Sequence, residues 1–295
     1  MPTSPRPRLF RAVLALVLLG GAVAIVAWVF LSEERGVPDV VRTVTAGGTD
    51  FMRVDGRIVE VEPLRGRMTM ELEFTPRGRF DAGGGLLAMP LKVAVSALGD
   101  EPLEFAAERR MFPREVEIGF HEGAVADYPF DLHRVRVELL MLEHADDKDG
   151  RKRVPVEFDF TRQHHGFAIR DTKLADAEHG YVGYDAELSR SRLVVGSVLF
   201  CLAIMWALTI INLLLLWAVV TRRMELDLTL FGYMSGMIVA LYFFRQVLPD
   251  APPFLGVLAD YIAFFPSELI TAAISVIFTA IWHRRLIAQP PTNAG

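Results

Sequence analysis

Three ionisable residues lie at the adjoining ends of the last two hydrophobic segments of the sequence. They are Arg245, Asp260 and Glu268. Ionisable side chains at the edge of a bilayer's hydrocarbon core are costly and are usually paired, so we expect Arg245 to pair with Asp260 or with Glu268. Such a pair would either clamp the intervening loop or couple the hydrophobic segments to the domain that precedes them.

The sharpest short motif of the polar region is Tyr-Pro-Phe-Asp. It comprises Tyr128, Pro129, Phe130 and Asp131. Proline restricts φ, the two aromatic rings can be buried beside it, and the aspartate can cap the turn. The simpler interpretation is a rigid turn between two strands. The alternative is a membrane-facing loop that transmits a signal to the hydrophobic segments.

Other residues that could support catalysis or metal binding show no recognised spacing. The seven histidines form no HxxxH or HExxH motif, and residues 146–150 lack the order of a calcium-binding loop. The single cysteine, Cys201, allows no intrachain disulfide and no thiolate metal site. We expect no cofactor, no metal and no enzymatic activity, with an extracytoplasmic hydrolase or a transporter as the third possibility.

Small and polar residues recur at helical spacing in the C-terminal third. They are Glu225, Thr229, Gly232, Gly236, Val239 and Gln246. Glycines four residues apart allow two membrane helices to approach closely. The stripe therefore predicts either a packing seam between helices or the lining of an aqueous path.

Four hydrophobic segments must position these residues, because each is long enough to cross a bilayer as a helix. They comprise residues 12–31, 193–220, 228–247 and 261–282. Apolar residues continue beyond the small-residue sequence Ala22–Ala24, so we interpret the first segment as a signal anchor and not as a cleaved signal peptide.

Arginine clusters predict the orientation of these segments. The clusters are Arg6, Arg8 and Arg11, then Arg222 and Arg223, then Arg284 and Arg285. With four spans, all three clusters lie on one side, which the positive-inside rule identifies as cytoplasmic. We therefore expect cytoplasmic tails at residues 1–11 and 283–295, and an extracytoplasmic position for residues 32–191 and for the loop 248–260.

The region between the first two spans has the patterns of β-structure. Hydrophobic and polar residues alternate in Met68–Phe74, Val116–Phe120 and Val135–Leu139, the period of a strand with one buried face. About eight short antiparallel strands separated by Gly- and Asp-containing turns indicate a sandwich. The predicted fold is membrane α plus β: one N-terminal and three C-terminal transmembrane helices, with an extracytoplasmic antiparallel β-sandwich between the first and the second.

The charges of the protein are concentrated in this β-domain. Residues 32–191 contain 31 of the 36 acidic residues and 22 of the 31 basic residues, a net charge of −9. Nucleic acids and anionic lipids are bound by basic surfaces. The composition therefore argues against both as partners of the domain.

The same features resemble a known family. The order of an N-terminal span, a β-domain with Tyr128–Asp131 and a closing motif from Arg245 to Glu268 resembles the bacterial membrane family catalogued as domain of unknown function 4436. The resemblance covers nearly the whole chain, although Pro266 stands where the family would have an aromatic residue. It implies the architecture and no mechanism.

A weaker resemblance is to pentameric ligand-gated ion channels. These also have a β-sandwich with an aromatic-Pro-Phe-Asp loop that leads directly into closely linked helices, and a Leu-Pro-x-x-Pro type of loop that corresponds to Leu248–Pro253. The resemblance implies that Leu228–Phe244 is a pore helix with Glu225 at its inner mouth. The β-domain here is shorter, an N-terminal span is added and a final helix is missing.

The favoured hypothesis is a non-enzymatic, multi-pass protein of the bacterial cell membrane. Its extracytoplasmic β-domain would bind an unidentified ligand or protein, and the bilayer would hold its helices. The alternative is a homo-oligomeric ion channel or gate.

Overall fold

The computed structural model describes residues 40–44, 48–99, 101–143, 152–161, 163–164, 166–176, 181–221 and 227–288. These residues form two compact units. One unit comprises residues up to 125 together with 130–193, and the other comprises residues 126–129 together with those from 194 onward. The predicted N-terminal span 12–31 and Glu225 lie outside the described residues.

The first unit is a mixed β-sheet domain. Its strands, within the described residues, are β1 (Val40–Val44), β2 (Met52–Glu62), β3 (Arg67–Pro76), β4 (Leu91–Val95), β5 (Leu103–Phe105), β6 (Arg114–Gly123), β7 (Leu132–Glu143), β8 (Val156–Thr161), β9 (Gln163–His164), β10 (Phe167–Asp176) and β11 (Tyr181–Arg190). The strand order is β1-β8-β2-β3-β6-β7-β11-β10-β9, and β4 joins β5 to β7.

The predicted alternation patterns coincide with strands β3, β6 and β7 and are confirmed there. In β3 the buried side chains are Met68, Met70, Leu72 and Phe74, with polar residues between them. Each buried side chain of this size contributes about 1.5–3 kcal/mol relative to an exposed one. Burial of one face therefore explains why these segments are strands.

The expectation of a purely antiparallel sheet is wrong at one pair. Strands β2 and β8 run parallel, from Met52 opposite Val156 to Arg57 opposite Thr161. A parallel pair needs a long crossover connection, and here the chain between β2 and β8 contains five other strands. The alternation pattern of a strand carries no information about its partner's direction, so the sequence could not reveal this pair.

Strand β6 pairs with two different strands. Its residues up to Gly119 pair with β3, and Phe120, Glu122 and Gly123 pair with β7 across a bulge. A bulge bends a strand and increases its twist. It places the end of β6 beside His133 of β7.

The second unit contains three long helices, α1 (Arg192–Val220), α2 (Leu228–Gln246) and α3 (Phe265–Ala288). Helices α1 and α2, and the segment Asp260–Arg285, are long and apolar enough to cross a membrane. This finding is consistent with a membrane protein.

A π-helical turn, Asp260–Phe264, leads into α3, so the last helical segment begins before Pro266. Pro266 has no N–H to donate to the carbonyl of Ile262, four residues earlier. The indole of Trp206 in α1 donates to that carbonyl at 3.1 Å. Helical structure therefore continues through the proline, with a wider turn and a bond from another helix.

Candidate functional site

The chain passes between the two units three times. The passages follow Val125, Pro129 and Leu193, because residues 126–129 belong to the helical unit although strands of the first unit flank them. Each unit contains one buried cluster of charged side chains. In the first unit the cluster is Asp131, His133 and Arg190, and in the helical unit it is Arg245 and Asp260. These two clusters are the candidate functional residues.

In the helical unit, Tyr128 is fully buried and hydrogen-bonded at both ends. Its hydroxyl donates to the Pro249 carbonyl at 2.5 Å, and its own carbonyl accepts from the Ala259 N–H at 3.2 Å. Its ring belongs to a hydrophobic cluster with Val257 and Phe264. The segment 126–129 is therefore an integral part of the helical unit.

The predicted four-residue motif is divided between the units. Tyr128 and Pro129, joined by a cis peptide bond, belong to the helical unit, whereas Phe130 and Asp131 belong to the first unit. Phe130 is 55% exposed and Asp131 is fully buried. The motif therefore contains a passage between the units, and its role as a turn or as a membrane-facing loop stays a prediction.

In the first unit, Asp131 forms a buried cluster with Arg190 and His133. The Arg190 Nε donates to both carboxylate oxygens of Asp131 at 3.0 and 3.1 Å, and the His133 Nε2 donates to Oδ2 at 3.0 Å. Burial by itself would raise the pKa of Asp131, but the hydrogen bonds from His133 and Arg190 and the charge of Arg190 lower it below its ordinary value. The carboxylate is therefore held in its charged form.

Aromatic rings complete this cluster. The Arg190 guanidinium lies 4.3 Å from the centroid of the Phe167 ring, and the His133 ring stacks on Phe120 at 5.0 Å. A Cβ added to Gly123 would lie 2.1 Å from the His133 Nδ1, so only glycine fits beside this ring. The cluster is closely packed on every described side.

The sequence reasoning selected Asp131 and missed His133 and Arg190 as its partners. The sequence contained one indication for His133. Its position alternates in step with Val135 and Val137, so its side chain lies on the buried face of β7. A histidine at an inward position needs a polar partner. For Arg190 no pattern in the sequence indicated one.

The second cluster is formed by Arg245 and Asp260 in the helical unit. The Arg245 Nε lies 2.5 Å from Oδ1 of Asp260, as a charge contact without hydrogen-bond geometry, and Nη2 donates to Oδ2 at 3.3 Å. Nη2 also donates to the carbonyls of Pro252 and Phe254 at 3.0 and 2.9 Å. Glu268 is half-buried and is not a partner of Arg245 among the described residues.

Backbone N–H groups donate hydrogen bonds to the carboxylate of this pair. The Asp260 Oδ2 accepts from the N–H groups of Gly256 and Val257 at 2.8 and 3.2 Å. The pair thereby binds both halves of the loop after α2, the same loop that contacts Tyr128 through Pro249 and Ala259. The pair holds this loop in one conformation, and whether it also couples two regions stays a prediction.

The predicted stripe on α2 does not face another described helix of the chain. Its members within the described residues, Thr229, Gly232, Gly236, Val239 and Gln246, are all exposed. Val239 is 68% exposed, and a Cβ added to Gly232 or Gly236 would meet no atom within 4 Å. No described helix of the chain packs against the stripe, and whether it forms a packing seam or lines an aqueous path stays a prediction.

One polar contact inside the helical unit was not predicted. The Asn212 amide of α1 donates to the Thr271 hydroxyl of α3 at 3.1 Å, and both side chains are fully buried. Hydrogen bonds of this kind contribute to the association of membrane helices. A lone asparagine within an apolar segment was the available signal.

A shallow cavity of about 440 Å³ lies on the first unit. It is lined by His121, Glu122, Arg134, Val135, Arg136, Asp185, Ala186 and Glu187. The arginines in it are already paired, Arg134 with Glu122 and Glu187, and Arg136 with Asp185. Within the described residues, no group of three or more His, Cys, Asp and Glu side chains could hold a metal ion.

Two family models match separate parts of the chain. Residues 42–188 match a domain of unknown function, DUF4436, and residues 190–285 match a second one, DUF8686. The resemblance to the first family therefore holds for the β-domain, and the expectation that it covers nearly the whole chain is wrong, because the motif from Arg245 to Glu268 lies in the second match. No curated protein shows significant similarity to the sequence.

Proposed function

We propose that this chain is a non-enzymatic, multi-pass membrane protein whose extracytoplasmic β-domain binds a ligand or partner and transmits binding to the transmembrane helices. The proposal includes an N-terminal anchor at residues 12–31, cytoplasmic termini, and a sandwich arrangement of the β-domain. The pairing of β6 with β3 by one half and with β7 by the other supports the sandwich.

The observation that carries the proposal is the position of the Asp131–Arg190 pair. Asp131 lies two residues after the passage that follows Pro129, and Arg190 lies three residues before the passage that follows Leu193. The buried pair thus ties together the chain segments next to two of the three passages between the units. A change in β-domain packing that moves one segment must move the other.

Three covalent passages join the two units. Strand β11 ends at Arg190 and α1 begins at Arg192, without a flexible spacer. Segment 126–129 is held in the helical unit by Tyr128 and its bonds to the loop after α2. In this proposal, binding at the β-domain acts on the loop that Arg245 and Asp260 hold through these covalent segments.

Hydrogen exchange of the full chain in lipid nanodiscs tests this coupling. Asp131→Asn weakens the tie in the β-domain, and we expect about tenfold faster exchange in residues 248–261, which the substitution does not touch. The matched control is Asp185→Asn, which breaks a surface pair of the same domain with Arg136. Exchange in residues 248–261 that stays unchanged in both variants would refute the coupling.

Cysteine labelling in intact cells tests the orientation. In a Cys201→Ala background, a membrane-impermeant maleimide should label Leu64→Cys, which is exposed in the β-domain, and should not label Thr221→Cys at the end of α1. Labelling of the second position alone would invert the proposed topology.

The second candidate is a homo-oligomeric channel or gate, and the exposed stripe on α2 favours it. Thr229, Gly232, Gly236 and Gln246 form a face of small and polar residues that no described helix of the chain covers. In a ring of copies this face would line a path or meet a neighbour. Native mass measurement in detergent should then give a ring of copies, and Glu225→Gln should change conductance. A monomer would exclude this function.

A further inference from the structure

A layer of buried polar side chains separates the two hydrophobic clusters of the helical unit. Met205 and Phe264 belong to the first cluster, and Val219 and Ile274 belong to the second. Four fully buried polar residues occupy positions between them in α1 and α3, namely Thr209, Asn212, Ser267 and Thr271. We call these four residues the polar layer.

The polar layer lies deep within apolar helices. At 1.5 Å per residue, Asn212 is about 30 Å from the start of α1 and about 12 Å from its end. Helix α1 is long and apolar enough to cross a membrane. Bulk water does not reach the core of a bilayer, so a polar atom without a partner is costly there.

Two hydrogen bonds satisfy part of the polar layer. The Thr209 hydroxyl donates to the Met205 carbonyl at 2.9 Å, and the Asn212 Nδ2 donates to the Thr271 Oγ1 at 3.1 Å. Thr271 is the acceptor in the second bond, so its hydroxyl still has its own hydrogen to donate.

Two other polar atoms of the layer have no hydrogen-bond partner among the described residues. They are the Asn212 Oδ1 and the Ser267 Oγ. Ser267 and Thr271 are four residues apart and lie on one face of α3, and Asn212 bonds to Thr271. The carbonyl oxygen can only accept a hydrogen bond, whereas the hydroxyl can donate one. Nearly all buried polar groups in proteins have a partner, so this pair calls for one.

The π-helical turn before α3 explains why Ser267 does not bond to its own helix. Several other hydroxyls of the three helices donate to the backbone carbonyl four residues earlier, namely those of Thr209, Ser235, Ser275 and Thr279. For Ser267 that carbonyl belongs to Ala263, which lies in the π-helical turn Asp260–Phe264. Such a turn bonds five residues along the chain and is frequent at functional sites. Its carbonyls are therefore displaced from α-helical positions, and the Ser267 hydroxyl can bond elsewhere.

We propose that the polar layer binds one water molecule, which joins α1 to α3. The water donates to the Asn212 Oδ1 and accepts from the Ser267 hydroxyl, and the Thr271 hydroxyl supplies a third bond. Buried waters typically make about three bonds to groups that otherwise have no partner. A monovalent cation would suit the oxygen atoms but would leave the Ser267 hydrogen without an acceptor. The site lies within the helical unit and does not depend on the proposed coupling.

Spectroscopy of one labelled asparagine tests this site. The sequence contains two asparagines, Asn212 and Asn293, so Asn293→Ser with an isotope-labelled asparagine carbonyl leaves a single label, at Asn212. In nanodiscs, the infrared band of this carbonyl shows whether it accepts a hydrogen bond. Magnetisation transfer from water protons in solid-state NMR shows whether water lies beside it. We expect the band of a bonded carbonyl and rapid transfer from water.

Two serine variants identify the other end of the bridge. Ser267→Ala removes one anchor of the water, so the band should move to the frequency of an unbonded carbonyl and the transfer should be lost. The matched control is Ser275→Ala on the same helix, whose hydroxyl bonds to the Thr271 carbonyl at 3.0 Å. It should leave both signals unchanged. Exchange of sodium and potassium ions for choline should also change neither signal.

Several results would overturn the inference. An unbonded carbonyl band in the protein with unchanged Ser267 would show that Asn212 has no partner. Slow transfer from water would indicate a direct bond between the two side chains, and a change with choline would indicate a cation. Equal effects of the two serine variants, or no effect of Ser267→Ala, would remove Ser267 from the site.

Discussion

The two buried carboxylate–guanidinium pairs of this protein differ in what they connect. Asp131 and Arg190 are 59 residues apart in the chain, and side chains from other strands surround them. Arg245 and Asp260 are 15 residues apart, and backbone groups of the loop between them complete their bonds. The first pair is a long-range tie within the β-domain, whereas the second is a local clamp.

This difference predicts different consequences when each pair is broken. Removal of one partner of a buried pair leaves an uncompensated charge, which is strongly destabilising. In the β-domain that charge lies among strands far apart in sequence, so the whole sheet should be affected. In the helical unit the cost should be confined to the loop, because its backbone carbonyls and N–H groups can turn towards water.

The largest effect is expected for Arg190→Met. It should lower the free energy of unfolding of the β-domain by about 3–5 kcal/mol, because Asp131 keeps only His133 as a partner. Hydrogen exchange of the core strands measures this loss. The control Arg136→Met, at a surface pair with Asp185, should cost much less, because exposed ion pairs contribute little to stability. Equal losses in the two variants would contradict a special role for the buried pair.

A smaller and more local effect is expected for Arg245→Gln. The change leaves two backbone carbonyls and the Asp260 carboxylate without their arginine partner. It should lower the free energy of local opening of residues 248–259 by about 2–4 kcal/mol. Its cost and that of Asp260→Asn should be strongly non-additive. With Glu268→Gln it should be additive, and non-additivity there would show that Glu268 joins the cluster.

The packing of the first cluster can be probed at Gly123. A methyl group there would overlap the His133 ring, so Gly123→Ala should cost about 1–3 kcal/mol in β-domain stability. At Gly232, where an added Cβ meets no atom of the described residues within 4 Å, the same substitution should be neutral or slightly stabilising. If Gly232→Ala instead disrupts an assembly seen by native mass measurement, the α2 stripe is an interface between copies.

The smallest effect expected is a dependence of β-domain stability on pH that arises from Asp131. The pKa of Asp131 is lower in the folded protein than its ordinary value, so its contribution to stability is present above the ordinary carboxyl pKa and is lost as pH falls through the folded-state pKa. In Asp131→Asn this component of the acid sensitivity should disappear. Parallel unfolding-versus-pH curves for the variant and the unchanged protein would argue against it.

Local patterns in the sequence predicted much of the fold. Burial of neighbouring residues sets the alternation in β3, β6 and β7 and the apolar runs of α1, α2 and α3. Such patterns can be recognised in the sequence without knowledge of the tertiary structure. Arg245 and Asp260 were found in the same way, because a charge stands out against an apolar background.

What the sequence by itself determined is therefore the type of the main strands and helices, the separation of an acidic β-region from apolar helices, and some of the residues that needed a polar partner, such as Arg245 and Asp131. Only the tertiary structure decided the partners: Asp260 and not Glu268 for Arg245, Arg190 and His133 for Asp131, and a parallel neighbour for β2. It also divided Tyr128–Asp131 between two units. The physical reason is that burial periodicity is a local property, whereas strand register and ion pairing depend on the spatial approach of residues far apart in the chain.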